Sequence, residues 1–481
     1  MVQLFQGFSC PPTTAASLLQ IAHLTYQKLS INSSTTPALP TTVAQQFKMD
    51  AEQSNLTMLH GFDLSSFSIA HILKFAIFGS LSQFIFIWAV ALVAGWVVIC
   101  AGLRFKRING LRKQLGYTDR ASLAHMTNED AQIILKNIIE FEFPKFYLLA
   151  LQFAIFKTYA FETVSKLIVA TKELADPKNA HKRYEDTTII FGEFSLNPPT
   201  SDRTLKAISR MNYLHSRYKN AGQISNADFL YTLAVCVTEP IRFMQLYEWR
   251  PLTDMEVCAI GTHWKAIGDA MDIRYNGYLS QDSWADGIEF AHDITAWAKR
   301  YEVEAMKPAK INTQPSSQLM NMMLFHIPTF VKPFAEEVFT VLMGDRVRDA
   351  FGYREPGIIA ALTAYSALVV RRFVVRYMVL PRFAPVVFFS EPEPKTGRIQ
   401  HYDYLVHPYY NPVTLWSRWG PVSLITRALG GTVPGSDKMM PDGFLFEEIG
   451  PKDKLGKGKK ELAEGVDTLK ARHRGGCPFS G

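Results

Sequence analysis

From Phe75 to Leu103 the chain carries no charged side chain. Its centre, Phe84-Ile-Phe-Ile-Trp-Ala-Val-Ala-Leu-Val-Ala-Gly-Trp-Val-Val-Ile-Cys100, is apolar almost without interruption. A bilayer-spanning helix needs about 20 such residues. The run therefore predicts a membrane span, with a buried core helix as the other reading. It starts too far from Met1 for a cleaved signal peptide. Arg104, Lys106, Arg107, Arg112 and Lys113 follow it directly, whereas its N-terminal side is nearly uncharged. The positive-inside rule then places everything after Arg104 in the cytosol and the N-terminus in the lumen. The sequons Asn32-Ser-Ser and Asn55-Leu-Thr both precede the span, where a lumenal segment can carry glycans. The Ser-, Thr-, Gln- and Pro-rich stretch 1–68 reads as largely disordered.

Behind the anchor there is ample material for a large core: 481 residues, 48% of them hydrophobic. The net charge of +7 is modest and mostly scattered. Neither a zinc-type Cys/His spacing nor a Gly-rich phosphate loop occurs, so nucleic-acid binding has no support. The cysteines Cys10, Cys100, Cys236, Cys258 and Cys477 are odd in number and far apart. That fits a main domain in a reducing compartment rather than a disulfide framework.

The hydrophobic period is helical from Thr127 to about residue 350, without β/α alternation or repeats. Leu205, Ile208, Asn212 and His215 share one helix face. Phe229 to Val237 predicts a short buried helix ending near Glu239-Pro240. Thr253-Asp-Met-Glu256 fits a capping box. Phe146 to Phe156 is too short to span a bilayer. Gly357 to Val370 is also short and reads as a buried core helix in preference to one lying on the membrane surface. The tail from Glu391 is rich in Pro, Gly and Lys, and Lys452 to Lys460 reads as a solvated basic loop.

Two constellations carry possible chemistry. His215 sits among Leu205, Ile208 and Leu214, and a neutral imidazole in an apolar wall suits a haem ligand. Taken alone, a single His on such a face is more often a satisfied core residue. Arg183 and Thr187 lie at i and i+4 and share a face. Beside a haem, the Arg can stabilise a partly negative oxygen and the Thr can relay a proton, with Asp186 as a possible base. The bland reading is a helix turn with surface ion pairs. Arg203, Arg210 and Arg217 recur along one stripe of the His215 helix, where they can pair haem propionates or form a solvated face.

Two decoys fall away. Glu239-Pro-Ile-Arg242 and Cys477-Pro-Phe imitate motifs of a haem-thiolate monooxygenase, but Cys477 has no room for the helix that follows such a thiolate. His263, His292 and His326 lack the spacing that helical metal ligands need. A hydrolase reading lacks a G-x-S-x-G motif.

Arg183-Tyr-Glu-Asp-Thr187-Thr-Ile-Ile, Arg210-Met-Asn-Tyr-Leu-His215-Ser-Arg-Tyr and Gly261-Thr-His-Trp-Lys-Ala-Ile-Gly-Asp269-Ala-Met together resemble the fungal MpaB-type oxygenases of the endoplasmic reticulum. Those share a catalytic domain with the bacterial rubber oxygenases, or latex-clearing proteins. The similarity covers roughly residues 115–400. It implies an all-α, globin-like domain holding haem b, and oxidative cleavage of an isoprenoid C=C bond with dioxygen. A membrane-anchored endoplasmic-reticulum enzyme acting on a prenylated secondary metabolite would follow. His215 would be the iron ligand, with Arg210 and Arg217 beside the cofactor. Arg183 and Thr187 would position dioxygen. The Lys that rubber oxygenases carry before that Thr is Asp186 here. Their distal Glu falls on either Glu162 or Glu173. The implied organisation is a lumenal segment 1–68, an anchor 69–104, a helical catalytic domain 105–395 and an irregular basic tail 396–481. The rival reading is a non-catalytic, membrane-tethered protein that binds haem or lipid. It is favoured if Arg183 and Thr187 point away from the His215 pocket.

Overall fold

The computed structural model describes residues 69–435, 439–472 and 475–479. The segment 1–68, with both sequons, lies outside them. Contacts divide the chain into a unit up to Ala89 and a unit from Val90 to Gly481.

The uncharged run forms a long helix, α1 (Ile69–Arg104), followed by α2 (Lys106–Leu115). From Phe84 to Ile99 its large apolar side chains, Val97 aside, are exposed, as lipid-facing residues would be. Then come α3 (Asn128–Asn137), a π-turn, α4 (Pro144–Thr158), α5 (Glu162–Thr171) and α6 (Pro177–Leu196). The succession continues with α7 (Asp202–Asn220), α8 (Asn226–Tyr247), α9 (Asp254–Ala270), α10 (Gly287–Ala305) and α11 (Lys310–Met323). The shorter α12 (Lys332–Met343) and α13 (Asp345–Phe351) lead to α14 (Ile358–Tyr377). Last are α15 (Leu415–Trp419), α16 (Pro421–Ala428) and α17 (Lys459–Ala471). Among the described residues β-pairing is limited to the isolated bridges Phe389–His401 and Ile399–Phe444, so the fold is all-α.

Local chemistry sets the helix starts. Asp176 and Ser201 accept backbone N–H bonds at the beginnings of α6 and α7. The capping box expected at Thr253 and Glu256 is formed, and Ser225 with Asp228 builds another on α8. Gly261 on α9 and Gly287 on α10 bring two backbones together, and a Cβ on either would overlap the other's main chain.

Three expectations change. α8 does not end near Glu239-Pro240 but runs through Pro240 to Tyr247. A proline removes one helical N–H, and tertiary packing can outweigh that loss. Here α8 packs along α4, and Glu239 accepts Lys157 Nζ at 2.9 Å and Arg242 Nε at 2.8 Å. The E-x-x-R of the sequence is thus a buried structural ion network.

Gly357 to Val370 is not core. Only Ala360 and Ala364 of α14 are buried. Gln83–Leu115 and Ile358–Tyr377 are the two stretches of described helix long and apolar enough to cross a membrane.

The tail is not irregular throughout. α17 packs on α7, and Tyr410, Phe444 and Ile449 are fully buried in the core. Asp186 accepts Tyr410 Oη at 2.8 Å and the Gly450 N–H at 2.9 Å. Glu185 meets His401 Nδ1 at 2.6 Å. One side of α6 is therefore fastened to the C-terminal segment.

Candidate active site

The free side of α6 faces a cavity of about 560 Å³, within the range of cofactor and small-molecule sites. Its walls are mostly apolar, from Leu148 and Leu151 on α4, Leu167 and Ile168 on α5, and Leu233 on α8. Arg183 and Thr187 from α6 and His215 from α7 all line it.

Arg183 Nη1 donates to Thr187 Oγ1 at 2.8 Å, and the same hydroxyl donates to the Arg183 carbonyl at 2.8 Å. This i, i+4 pair fixes the guanidinium against the helix while leaving other N–H groups for a ligand. His215 lies against Phe229, ring centroids 5.5 Å apart and nearly perpendicular. Its Nδ1 is buried with no hydrogen-bond partner. Burial, and secondarily the Arg183 charge, lower its pKa to about 4. The imidazole is therefore neutral at physiological pH, the form that ligates a metal.

The other residues singled out from sequence are placed elsewhere. Asp186 is buried away from the cavity, held by Tyr410, Gly450 and Lys182, whose Nζ is 2.8 Å away. Its oxygens are occupied, and it is outside the cavity wall. Arg210 is fully buried, and its guanidinium donates to the carbonyls of Glu447, Ile449, Lys454 and Lys457. Arg217 is exposed. Neither Arg210 nor Arg217 lines the cavity. Arg203 clasps Glu193 through Nε at 2.7 Å and Nη2 at 2.6 Å. Arg210 thus docks the tail onto α7 and Arg203 ties α7 to α6, with no arginine of the stripe turned to the pocket.

Of the two glutamates that the sequence offers for the distal position, Glu173 lines the cavity, whereas Glu162 is exposed and pairs with Lys166 at 2.9 Å. Burial raises the Glu173 pKa, with Arg183 opposing. Sequence reasoning missed Phe388 and Phe389, which follow α14, and Asp403, Pro451, Asp453 and Lys454 of the tail, all of which line the cavity. Only the long-range fold brings these in, and no local pattern marks them.

The donor set can be tested against a metal cofactor. Among the described residues no group of three or more His, Cys, Asp or Glu side chains is arranged to hold a metal ion. A single neutral imidazole on an apolar wall fits an iron whose other ligands come with a macrocycle. The cations at the wall are Arg183 and Lys454, not Arg210 or Arg217.

The family described as "ER-bound oxygenase mpaB/B'/Rubber oxygenase, catalytic domain" matches residues 168–376, which include every one of the α6 and α7 residues above. The ER-bound oxygenase mpaB' of Penicillium brevicompactum is 36% identical over 395 residues, 81% of this chain and 93% of that protein. The ER-bound oxygenase mpaB of the same organism is 32% identical over 385 residues, 79% of this chain and 90% of its own length. The mpaB protein of Penicillium roqueforti is 37% identical over 281 residues, 58% of this chain and 94% of its own. With this identity over most of its length, on an all-helical fold that gathers Arg183, Thr187 and His215 around one cavity, the chain belongs to the mpaB/rubber oxygenase family and is an oxygenase.

Proposed function

We propose that this protein is a haem b-dependent oxygenase of the endoplasmic-reticulum membrane that cleaves or oxidises a C=C bond of a prenylated or terpenoid secondary metabolite with dioxygen. The observation that carries the reading is the convergence of His215, Arg183 and Thr187 on one largely apolar cavity. A non-catalytic binding protein needs no such polar pair in the same cavity as an imidazole.

In this reading His215 holds the iron, and haem b, when bound, supplies the binding and activation of dioxygen. Arg183 offers hydrogen bonds and positive charge where negative charge develops on oxygen. Thr187 holds the guanidinium in place and can pass a proton once its hydroxyl turns from the Arg183 carbonyl. Glu173, its carboxyl raised by burial, is the proton acceptor we favour over Asp186. The Leu and Ile walls exclude water and match an isoprenoid chain. α1 serves as a single-pass anchor with a lumenal N-terminus, a reading that its basic C-terminal flank supports. Such a substrate partitions into the bilayer by about 0.8 kcal/mol per buried CH₂, so an anchored enzyme meets it there.

An absorption spectrum of the purified full-length protein tests this. The wild type should show a haem Soret band that is lost or shifted in His215→Ala. A folded wild type that takes up no haem would sink the mechanism.

A further inference from the structure

We propose that α14 is a second membrane element that does not cross the bilayer but lies in its plane, its outer face sunk into the cytosolic leaflet. The proposal rests on reading α1 as the anchor and is independent of the cofactor.

The surface of α14 is wrong for water. From Ile358 to Val370 it has no charged residue. Ile358 is 65% exposed, Ile359 74%, Val370 61% and Phe373 56%. A contiguous apolar surface of this kind marks an interaction site rather than scattered surface residues. The opposite stripe, Ala360 and Ala364, is buried, and the helix packs on α12.

Its two ends are fastened to the same globular unit. At the start, the Gly357 N–H donates to Glu337 Oε1 of α12 at 3.0 Å. Towards the end, Arg371 Nη2 meets Glu248 Oε1 at 2.7 Å, and its guanidinium lies 3.8 Å from the Phe146 ring centroid. A helix held at both ends to one cytosolic body cannot deliver either end to the far side of a membrane. Length and composition would allow α14 to span, but these attachments do not.

The anchor itself says what covers the face. In the unit beginning at Val90, Trp96 Nε1 donates to the Met378 carbonyl at 2.9 Å. Arg104, at the cytosolic end of α1, donates to the carbonyls of Val375 and Val379. The apolar surface of α14 thus begins beside the apolar surface of α1, at the level where the charged flank marks the headgroups. Lipid that surrounds one meets the other. Beyond α14, the exposed Met378, Val379, Phe383 and Val387 lead along the chain to the cavity wall at Phe388 and Phe389. An apolar substrate in the leaflet would meet this strip before the cavity.

Depth-dependent quenching tests the placement. The full-length chain, carrying Cys10→Ser and Cys477→Ser, would be labelled with an environment-sensitive fluorophore at Ile359→Cys, Leu362→Cys or Val370→Cys. The remaining cysteines are buried. Val93→Cys on α1 and Glu461→Cys on α17 are the references. Proteins would be reconstituted in phosphatidylcholine–phosphatidylserine vesicles with nitroxides at shallow or deep acyl positions. The three α14 probes should all lose fluorescence to the shallow nitroxide, with Val93 quenched more by the deep one and Glu461 only by aqueous iodide. α14 probes quenched only by iodide, beside a lipid-quenched Val93, would overturn the proposal and leave the anchor standing. A depth that runs steadily from Ile359 to Val370 would overturn it in favour of a second span. A Val93 probe open to iodide would overturn both the proposal and the anchor on which it rests.

Discussion

Arg183 Nη1 stands 2.8 Å from Thr187 Oγ1, one turn along the same helix and on the cavity side of it. Thr187→Val keeps the volume but removes the acceptor, so the guanidinium is left to find another partner in an apolar space. We expect dioxygen consumption on a prenylated substrate to fall on the order of 10²-fold, the scale of losing one preorganised donor. Thr187→Ser, which keeps the hydroxyl, should retain most of the activity. Equal rates for the valine and serine variants would show that the pair has no part in turnover.

Arg210 holds four carbonyls between Glu447 and Lys457 from its place on α7. A Lys cannot reproduce that planar fork. Arg210→Lys should lower stability by about 3 kcal/mol, as expected when charged hydrogen bonds are lost in a buried setting. Because Pro451, Asp453 and Lys454 of that segment wall the cavity, protease sensitivity there should rise and ligand binding weaken together. A variant with wild-type melting and an intact tail would remove the arginine from this structural role.

The helices were legible because their caps and periods are local. Thr253 to Glu256 and the uncharged run after Phe75 needed nothing from the rest of the chain. The Arg183, Thr187 and His215 set was legible from spacing and resemblance. What escaped was tertiary. Arg210 finds its hydrogen-bond acceptors more than two hundred residues away, and Asp186, beyond its neighbour Lys182, is held by the equally distant Tyr410 and Gly450, so the nearby sequence does not show how fully either side chain is occupied. The tail reads as a loop because its Gly, Pro and Lys content is real, yet Tyr410, Phe444 and Ile449 anchor it. α14 was misplaced for the converse reason: an apolar helix reads the same whether protein or lipid covers it.

His407 predicts a pH dependence of stability. Burial, followed by the neighbouring His181 and His326, holds its pKa down to about 4, from an ordinary 6.5. Its Nδ1 is 2.6 Å from Thr432 Oγ1, and its ring centroid is 4.7 Å from that of His181, whose pKa burial also lowers. The unfolded chain thus takes up the proton before the folded one. The stabilisation is complete above pH 6.5 and is lost as pH falls towards about 4. Thermal unfolding followed across that window should show a shallower decline for His407→Gln than for wild type. Parallel curves would mean that His407 titrates alike in both states.

Glu173 and Glu162 differ in setting, one on the cavity wall and one on the surface. Glu173 lines the cavity with its carboxyl pKa raised by burial, and Arg183 is the largest charge acting against that rise. A raised carboxyl pKa brings the group nearer to the working pH, which is what a proton acceptor needs. Glu162 is exposed and tied to Lys166 at 2.9 Å. Glu173→Gln preserves shape but cannot take a proton, so the rate should fall by about 10²–10⁴. The acidic limb of the wild-type pH–rate profile should disappear with it, while haem uptake through His215 stays intact. Glu162→Gln should change stability by no more than about 0.5 kcal/mol and leave the rate alone. If Glu162→Gln is the variant that loses the rate, the cavity wall does not hold the base. If Glu173→Gln loses haem as well as rate, the carboxylate supports the pocket rather than the proton transfer.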